Sequence, residues 1–317
     1  MSQPFHAGEI AVQETTGERP AAELNGRVIQ DRVPPPAVPF VAQQRMAILA
    51  REDAEGRLWA GIVFGPEGFA TVSDDRCGLM LAPEGAAAMA EGGPLAGMAA
   101  GDLLGGLFLE TATRRRLRVN GTIAKADGTR LRVDIAEAYP ACPKYIQRRT
   151  MEAPSDSAGD GAATIQTGTD LTDDLRAWIA GTDTLFVASG PCGQRLDVSH
   201  RGGEPGFVRL LDGHLRVPDY PGNSMFNTLG NFHLDPRAGI VFPDFSSGRQ
   251  LSMTGTATLH VQGPANGDPN GSTGGTDRWW DFAPEAWTVA TPAVPRRWTE
   301  AEPSPFNPDP GPLGEAA

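Results

Sequence analysis

"RAGIVFPDFSSGRQLSMTG", residues 237–255, reads as an apolar run, a small polar turn, and a second run that opens with Arg249 and Gln250. The turn Ser246-Ser247-Gly248 can reverse the chain because Gly reaches backbone angles other residues avoid, so the stretch predicts a β-hairpin. The same pattern occurs earlier: "LLGGLFLETATRRRLRVNG", residues 103–121, matches at a constant offset of 134, pairing Gly105 with Gly239, Phe108 with Phe242, Arg115 with Arg249, Leu117 with Leu251 and Gly121 with Gly255. A second pair of blocks, "GRLWAGIVFGPEGF" (Gly56–Phe69) and "QRLDVSHRGGEPGF" (Gln194–Phe207), matches at an offset of 138. Two blocks in the same order, with a small step between offsets, mark an internal repeat whose copies differ in loop length.

Each copy is a series of short β-branched or alternating runs bounded by Gly, Pro and Asp, the signature of strands in small antiparallel barrels. The expected fold is mostly β with a few helices (α+β), built as two tandem barrels. Residues 1–39 read as an N-terminal arm, 40–150 as the first barrel, 151–180 as a linker and helix, 181–295 as the second barrel, and 296–317 as a C-terminal tail. In the arm, "GEIAVQE" predicts a short helix that "VPPPAVP" (Val33–Pro39) terminates, with His6, Glu9 and Gln13 on one face docking against the body. "DLTDDLRAWIAGTDT" predicts a helix capped by Asp170 or Thr172 and ending near Gly181. Four of the six tryptophans, Trp279, Trp280, Trp287 and Trp298, are expected to pack on the body because exposing them is costly.

The 317 residues carry a formal net charge of −12, which argues against a broad nucleic-acid or anionic-membrane surface but leaves room for a local basic pocket. No apolar run is long enough to span a bilayer, and "MSQPFHAGEIAVQETTG" lacks the basic-then-apolar pattern of a secretory signal. Three widely spaced cysteines, Cys77, Cys142 and Cys192, fit no metal spacing and read as reduced thiols in a cytoplasmic protein.

The stretches "FHAGEIAVQ", "ACPKYIQRR", "SHRGGEPGFVRLL", "DYPGNSMFNTLGN" and "SPFNP" resemble the FMN-binding split barrel of the pyridoxamine 5′-phosphate oxidase-like superfamily, and within it the larger bacterial oxidase-related FMN-binding proteins. The resemblance covers roughly residues 40–150 and 180–295. It implies two split barrels packed as an intramolecular pseudo-dimer, with FMN in a cleft between them. It also implies a cofactor-binding set of Arg201, Phe207, Val208, Arg209, Pro218, Asp219, Asn223, Ser224, Asn227, Arg249 and Gln250, with Gln250 reaching the flavin edge. The family's Ser-Arg-Lys phosphate clamp is replaced here by Asn223-Ser224-Met225. A helix N-terminus carrying Asn223 and Asn227 offers a substitute for the missing charges. The first copy, with Arg116 at the position of Gln250, reads as degenerate, so one FMN per chain is expected. Arg148 or Arg149 would cover it.

These features imply an FMN-dependent oxidoreductase acting on a small-molecule substrate or electron donor, as a monomeric pseudo-dimer or a homodimer, without nucleic-acid or membrane partners. The alternative is a non-catalytic module binding heme or another flavin-like cofactor. No second basic cluster matches the family's substrate-phosphate site, so pyridoxamine-phosphate oxidation itself is not expected.

Overall fold

Alternating strands that bury both faces cannot stand alone, and this chain solves the problem by packing two antiparallel sheets on each other. A computed structural model describes residues 4–128, 130–153, 162–261 and 273–309. The middle of the 151–168 linker, most of the "GPANGDPNGSTGG" insert and the end of the tail lie outside the described residues. Described residues form a mostly β structure with five α-helices, and no helix among them is long and apolar enough to cross a membrane.

In the first sheet, β1 (Met46–Glu52), β2 (Leu58–Phe64), β3 (Ala70–Val72), β4 (Gly78–Leu81), β5 (Leu103–Glu110), β6 (Arg115–Asp127) and β7 (Arg130–Pro140) are ordered β2-β1-β5-β6-β7-β4-β3. The second contains β8 (Thr164–Gly168), β9 (Thr184–Ser189), β10 (Asp197–Gly202), β11 (Arg209–Leu211), β12 (His214–Pro218), β13 (Arg237–Pro243), β14 (Gln250–His260) and β15 (Trp279–Thr291). Its order is β10-β9-β13-β14-β15-β12-β11, the same path, with β8 added beside β15. Phe108 faces Leu117 across β5 and β6, and Phe242 faces Leu251 across β13 and β14. The ladder shifts register between Asn120 and Gly121 and again between Thr254 and Gly255, the matched place in the other sheet.

Side-chain alternation assigns the two faces. Ala47, Leu49 and Leu104 point into the first sheet's own core, while Leu185, Val187 and Ile240 point into the second's. The intervening residues, Ile48, Ile62 and Leu107 from one sheet and Phe186, Val198 and Val241 from the other, form a third cluster between the sheets. Burial on both faces explains the near-continuous apolar runs of β1, β2 and β9. Close crossing of the sheets relies on two glycines. A Cβ on Gly105 would lie 3.0 Å from the Asp197 backbone, and one on Gly239 would lie 2.8 Å from Trp59 Cα.

Helix α1 (Ala7–Thr15) is capped by His6, whose Nδ1 accepts from Gly8 and Glu9 while Glu9 accepts from the His6 amide. It packs on α5 (Asn227–Leu234) with Glu9 and Gln13 fully buried, the face that the i, i+3, i+7 spacing predicts. Helix α2 (Arg19–Asn25) and α3 (Val38–Ala42) follow; the proline run forms a short 3₁₀ turn before α3. Helix α4 (Asp173–Ala180) is capped by Thr172 and ends at Gly181. The aromatic segment near the C-terminus lies within the second sheet. It is the 13-residue β15, with Trp279 and Trp280 buried within it, while Trp298 is buried in the cluster between the sheets.

Candidate functional site

The edge strand of each sheet meets the other sheet's β6 or β14, and the two meetings differ. At β2, the Gln250 amide donates to Ile62 O (2.9 Å) and accepts from Ile62 N–H (2.6 Å), and the Ser252 hydroxyl donates to Ala60 O (2.8 Å). These side chains act as a surrogate strand and close that edge. At β10 a cleft remains. Arg116 and Arg118 of β6 and the segment after β7 form one wall; Ser199, His200 and Arg201 of β10, the end of β12 and the start of α5 form the other. Its empty volume, mouth included, is about 840 Å³, and the part open to the centre of a water molecule is about 100 Å³, so the cleft is a narrow slot.

Buried polar atoms without partners are rare in folded proteins. Six of the ten such side-chain atoms among the described residues belong to this cleft: Arg116 Nε, Arg118 Nε, Arg201 Nε, His200 Nε2, Tyr220 Oη and Thr228 Oγ1. Arg118 is anchored by Asp197 (3.2 Å), Tyr139 Oη (2.6 Å) and Ser199 Oγ (2.5 Å), and Arg201 lies 3.6 Å from Asp219. Among the described residues, Arg116 has no carboxylate partner. Burial, opposed by Cys142 and reinforced by Arg118 and Arg201, pulls its guanidinium down to about 10. Burial, then Arg116 and Arg201, hold the His200 imidazole well below its ordinary pKa, so it is neutral. The slot therefore holds one buried positive charge, that of Arg116, with no carboxylate partner among the described residues, in a chain that is acidic overall.

Behind this wall lies a buried network. Asp197, fully buried, accepts from Asn120 (2.7 Å) and Asn231 (2.9 Å). Burial opposes its ionisation, but Arg118 and Arg195 outweigh that and hold the carboxyl below its usual range. Arg195 bridges Glu137 (3.1 Å) and Glu9 (2.6 Å), joining both sheets to the arm. Burial pushes Glu9 up to about 7 against the pull of Arg195.

The loop before α5 is strained. Ser224 and Phe226 have φ of 60° and 59°, a left-handed conformation that costs non-glycine residues about 1–3 kcal/mol each. Phe226 is the N-cap of α5 and supplies no capping side chain, so among the described residues the first amides of the helix have no acceptor.

Of the residues expected from sequence, Arg201, Phe207, Pro218, Asp219, Asn223, Ser224 and Asn227 line the cleft. Four lie elsewhere. Val208 is in the second sheet's core. Arg209 begins β11, opposite Arg216, close enough to act on Tyr220 but not among the lining residues. Arg249 pairs with Asp244 (3.0 Å), stacks on Trp178 and lines a separate groove. Gln250 is spent on Ile62. Ser224 donates its single hydroxyl proton to Glu18 (2.5 Å), so that group is not a free donor. Of the two arginines expected to cover the cleft, Arg148 pairs with Glu302 (2.5 Å) and Arg149 with Asp183.

The cleft also holds Arg116, Arg118, Cys142, Tyr145 and Tyr220, none of them in the cofactor-binding set expected from sequence. The repeat matches Arg116 with Gln250 by register, and the crossing of the sheets decides what each faces: Arg116 faces β10 of the other copy where Gln250 faces β2.

No family model matches the chain, and no curated protein matches it. Among solved structures, it is similar to a single-residue variant of HupZ from Group A Streptococcus (15% identity, 38% of this chain and 99% of that one, TM-score 0.30). It is also similar to an FAD-binding protein from Mesorhizobium loti (12% identity, 40% and 98%, TM-score 0.29) and to HutZ, a heme storage protein from Vibrio cholerae (11% identity, 43% and 96%, TM-score 0.26). Identities and TM-scores this low leave the cleft to be read from its own geometry.

Proposed function

We propose that this slot binds FMN, that the two sheets are tandem split barrels packed as a pseudo-dimer, and that the protein is a flavin-dependent oxidoreductase of unassigned substrate. One observation carries the reading: buried polar atoms without partners converge on a single slot in which Arg116 has no counter-ion among the described residues. FMN presents a phosphate dianion, a flat ring with apolar faces, and a polar ring edge. The open amides of α5, Thr228 and the side-chain amide of Asn223 would hold the phosphate. Leu107 and Phe207 would flank the ring, with Arg116 and neutral His200 as polar groups toward its edge. When bound, the flavin would supply hydride or single-electron chemistry. The chain's part is to bind, to exclude water from a narrow slot, and to place a permanent positive charge that favours any anionic form of the ring.

Because Gln250 and Ser252 close the corresponding edge, the expected stoichiometry is one FMN per chain. Titrating purified protein with FMN, followed by flavin fluorescence, tests this. Micromolar or tighter binding at one equivalent, weakened by Arg116→Ala, supports the reading, and no uptake at micromolar FMN removes it.

One observation favours heme as the second reading. His200 is 4% exposed, and among the described residues its Nε2 has no partner in the cleft, so the neutral imidazole would be available to hold a heme iron. A Soret band on hemin titration that His200→Ala abolishes would favour heme over FMN.

A further inference from the structure

The N-terminal arm touches the cleft loop one residue at a time. Asn25 Nδ2 donates to Asn223 O (2.8 Å), Glu18 accepts from Ser224 Oγ, Gln13 Nε2 donates to Met225 O (3.0 Å), and Glu9 accepts from Asn227 Nδ2 (2.5 Å). Two of these bonds hold backbone carbonyls. A peptide unit is planar and trans, so fixing a carbonyl fixes the next amide pointing the opposite way. Drawing the carbonyls of Asn223 and Met225 toward the arm turns the N–H groups of Ser224 and Phe226 away from it. Both residues line the cleft, and among the described residues neither amide has an acceptor. They are also the two residues of the loop with left-handed φ.

We propose that the arm is a latch that shapes the anion site: Gln13 and Asn25 hold loop 223–227 in its strained conformation and aim two backbone amides at an anionic group that the arm itself does not touch. This rests on the reading of the slot as an anion-binding cleft and adds to it that affinity is set by residues outside the slot. Gln13 and Asn25 are positioning residues. Glu18 holds the loop from the side, its other oxygen fixed by Arg278 (2.7 Å).

The test uses the full chain, since deleting the arm would uncover Tyr139 and Met225, on which Phe5 and Ala22 pack, and would leave Arg195 and Asn227 without Glu9. Gln13→Ala, Asn25→Ala and the double variant are compared with the wild type by amide hydrogen exchange and by titration with FMN and, separately, inorganic pyrophosphate. The double variant is expected to speed exchange at the bonded amides of Met225 (to Asn223 Oδ1, 3.2 Å) and Gly230 (to Phe226 O, 2.6 Å) by about tenfold or more, while β14 and β15 keep their protection. It is also expected to raise the dissociation constant of whichever probe binds the wild type by about tenfold.

Unchanged exchange at those two amides overturns the proposal whatever the ligand result. So does faster exchange with undiminished affinity, or acceleration spread equally over the core, which a general loss of stability would give. If pyrophosphate binds and FMN does not, the flavin reading fails while the latch is still scored on pyrophosphate. If neither binds the wild type, the anion function of the latch is overturned.

Discussion

Gln250 and Ile62 exchange two hydrogen bonds, 2.9 Å from the amide to the carbonyl and 2.6 Å from the backbone N–H back to the side chain. The glutamine is 2% exposed and holds the edge of the opposite sheet. Its role is to join the two sheets, and the consequence is measurable. Gln250→Ala should destabilise the fold by about 1–3 kcal/mol, because it strands a buried backbone donor and acceptor. FMN affinity should stay within about threefold, since 1.4 kcal/mol is a tenfold change and no direct contact is lost. Urea unfolding and flavin titration on the same preparation check both halves.

Arg116→Ala should behave in the opposite way. Arg116 sits near Arg118 and Arg201 without a carboxylate partner among the described residues, so removing it relieves like-charge repulsion. The thermal midpoint should hold or rise while FMN binding weakens by about 10–100-fold, the scale of a lost charge-assisted contact. A fall in stability with unchanged binding would contradict the cleft assignment.

Glu9 gives a pH signature. Its folded pKa, about 7, lies above the 4.5 of an unperturbed glutamate, so folding takes up a proton between those values. Stability from this group is full below about pH 4.5 and falls as pH rises through 7. His6, held below its usual value by burial, works against this on the acid side, so the comparison must be with Glu9→Gln. Relative to wild type, Glu9→Gln should gain stability between pH 5 and pH 8, by on the order of 1–3 kcal/mol. Chemical denaturation across that range measures it, and a constant difference would mean that Glu9 is ionised throughout.

How much of this was legible depended on whether the information was local. The hairpin at 237–255, the α4 cap at Thr172 and the buried face of α1 follow from turn chemistry and periodicity, and the structure has all three. Strand β7 alternates buried Leu131 and Val133 with exposed Arg130 and Arg132, but its charged face masked it; β15 carries Pro284 opposite the register shift, which broke the strand pattern. Gln250 and Arg116 could be matched by register from sequence, but what each one faces depends on how the two sheets cross. Nothing within either hairpin records that.

Gly230→Ala tests the seat of the arm. A Cβ there would lie 2.5 Å from the Glu9 backbone, where no flexible side chain can give way, so α1 must move. The variant should expose the arm to limited proteolysis near residues 15–20 while β14 and β15 keep their hydrogen-exchange protection. Resistance equal to wild type would show that the helices separate without cost.

The pairing of Glu9 with Asn227 spans 218 residues. During synthesis the arm emerges before its partners in α5. At translation rates of roughly 5–20 residues per second, it waits on the order of 10–40 seconds before α5 exists to receive it. Val12 and the carboxyl of Glu9 spend that interval in water, where the glutamate is ionised at neutral pH. Docking must then bury the charge beside Arg195 or take up a proton, so completion of the cleft waits on that step, and its rate should depend on the acidity of the surroundings.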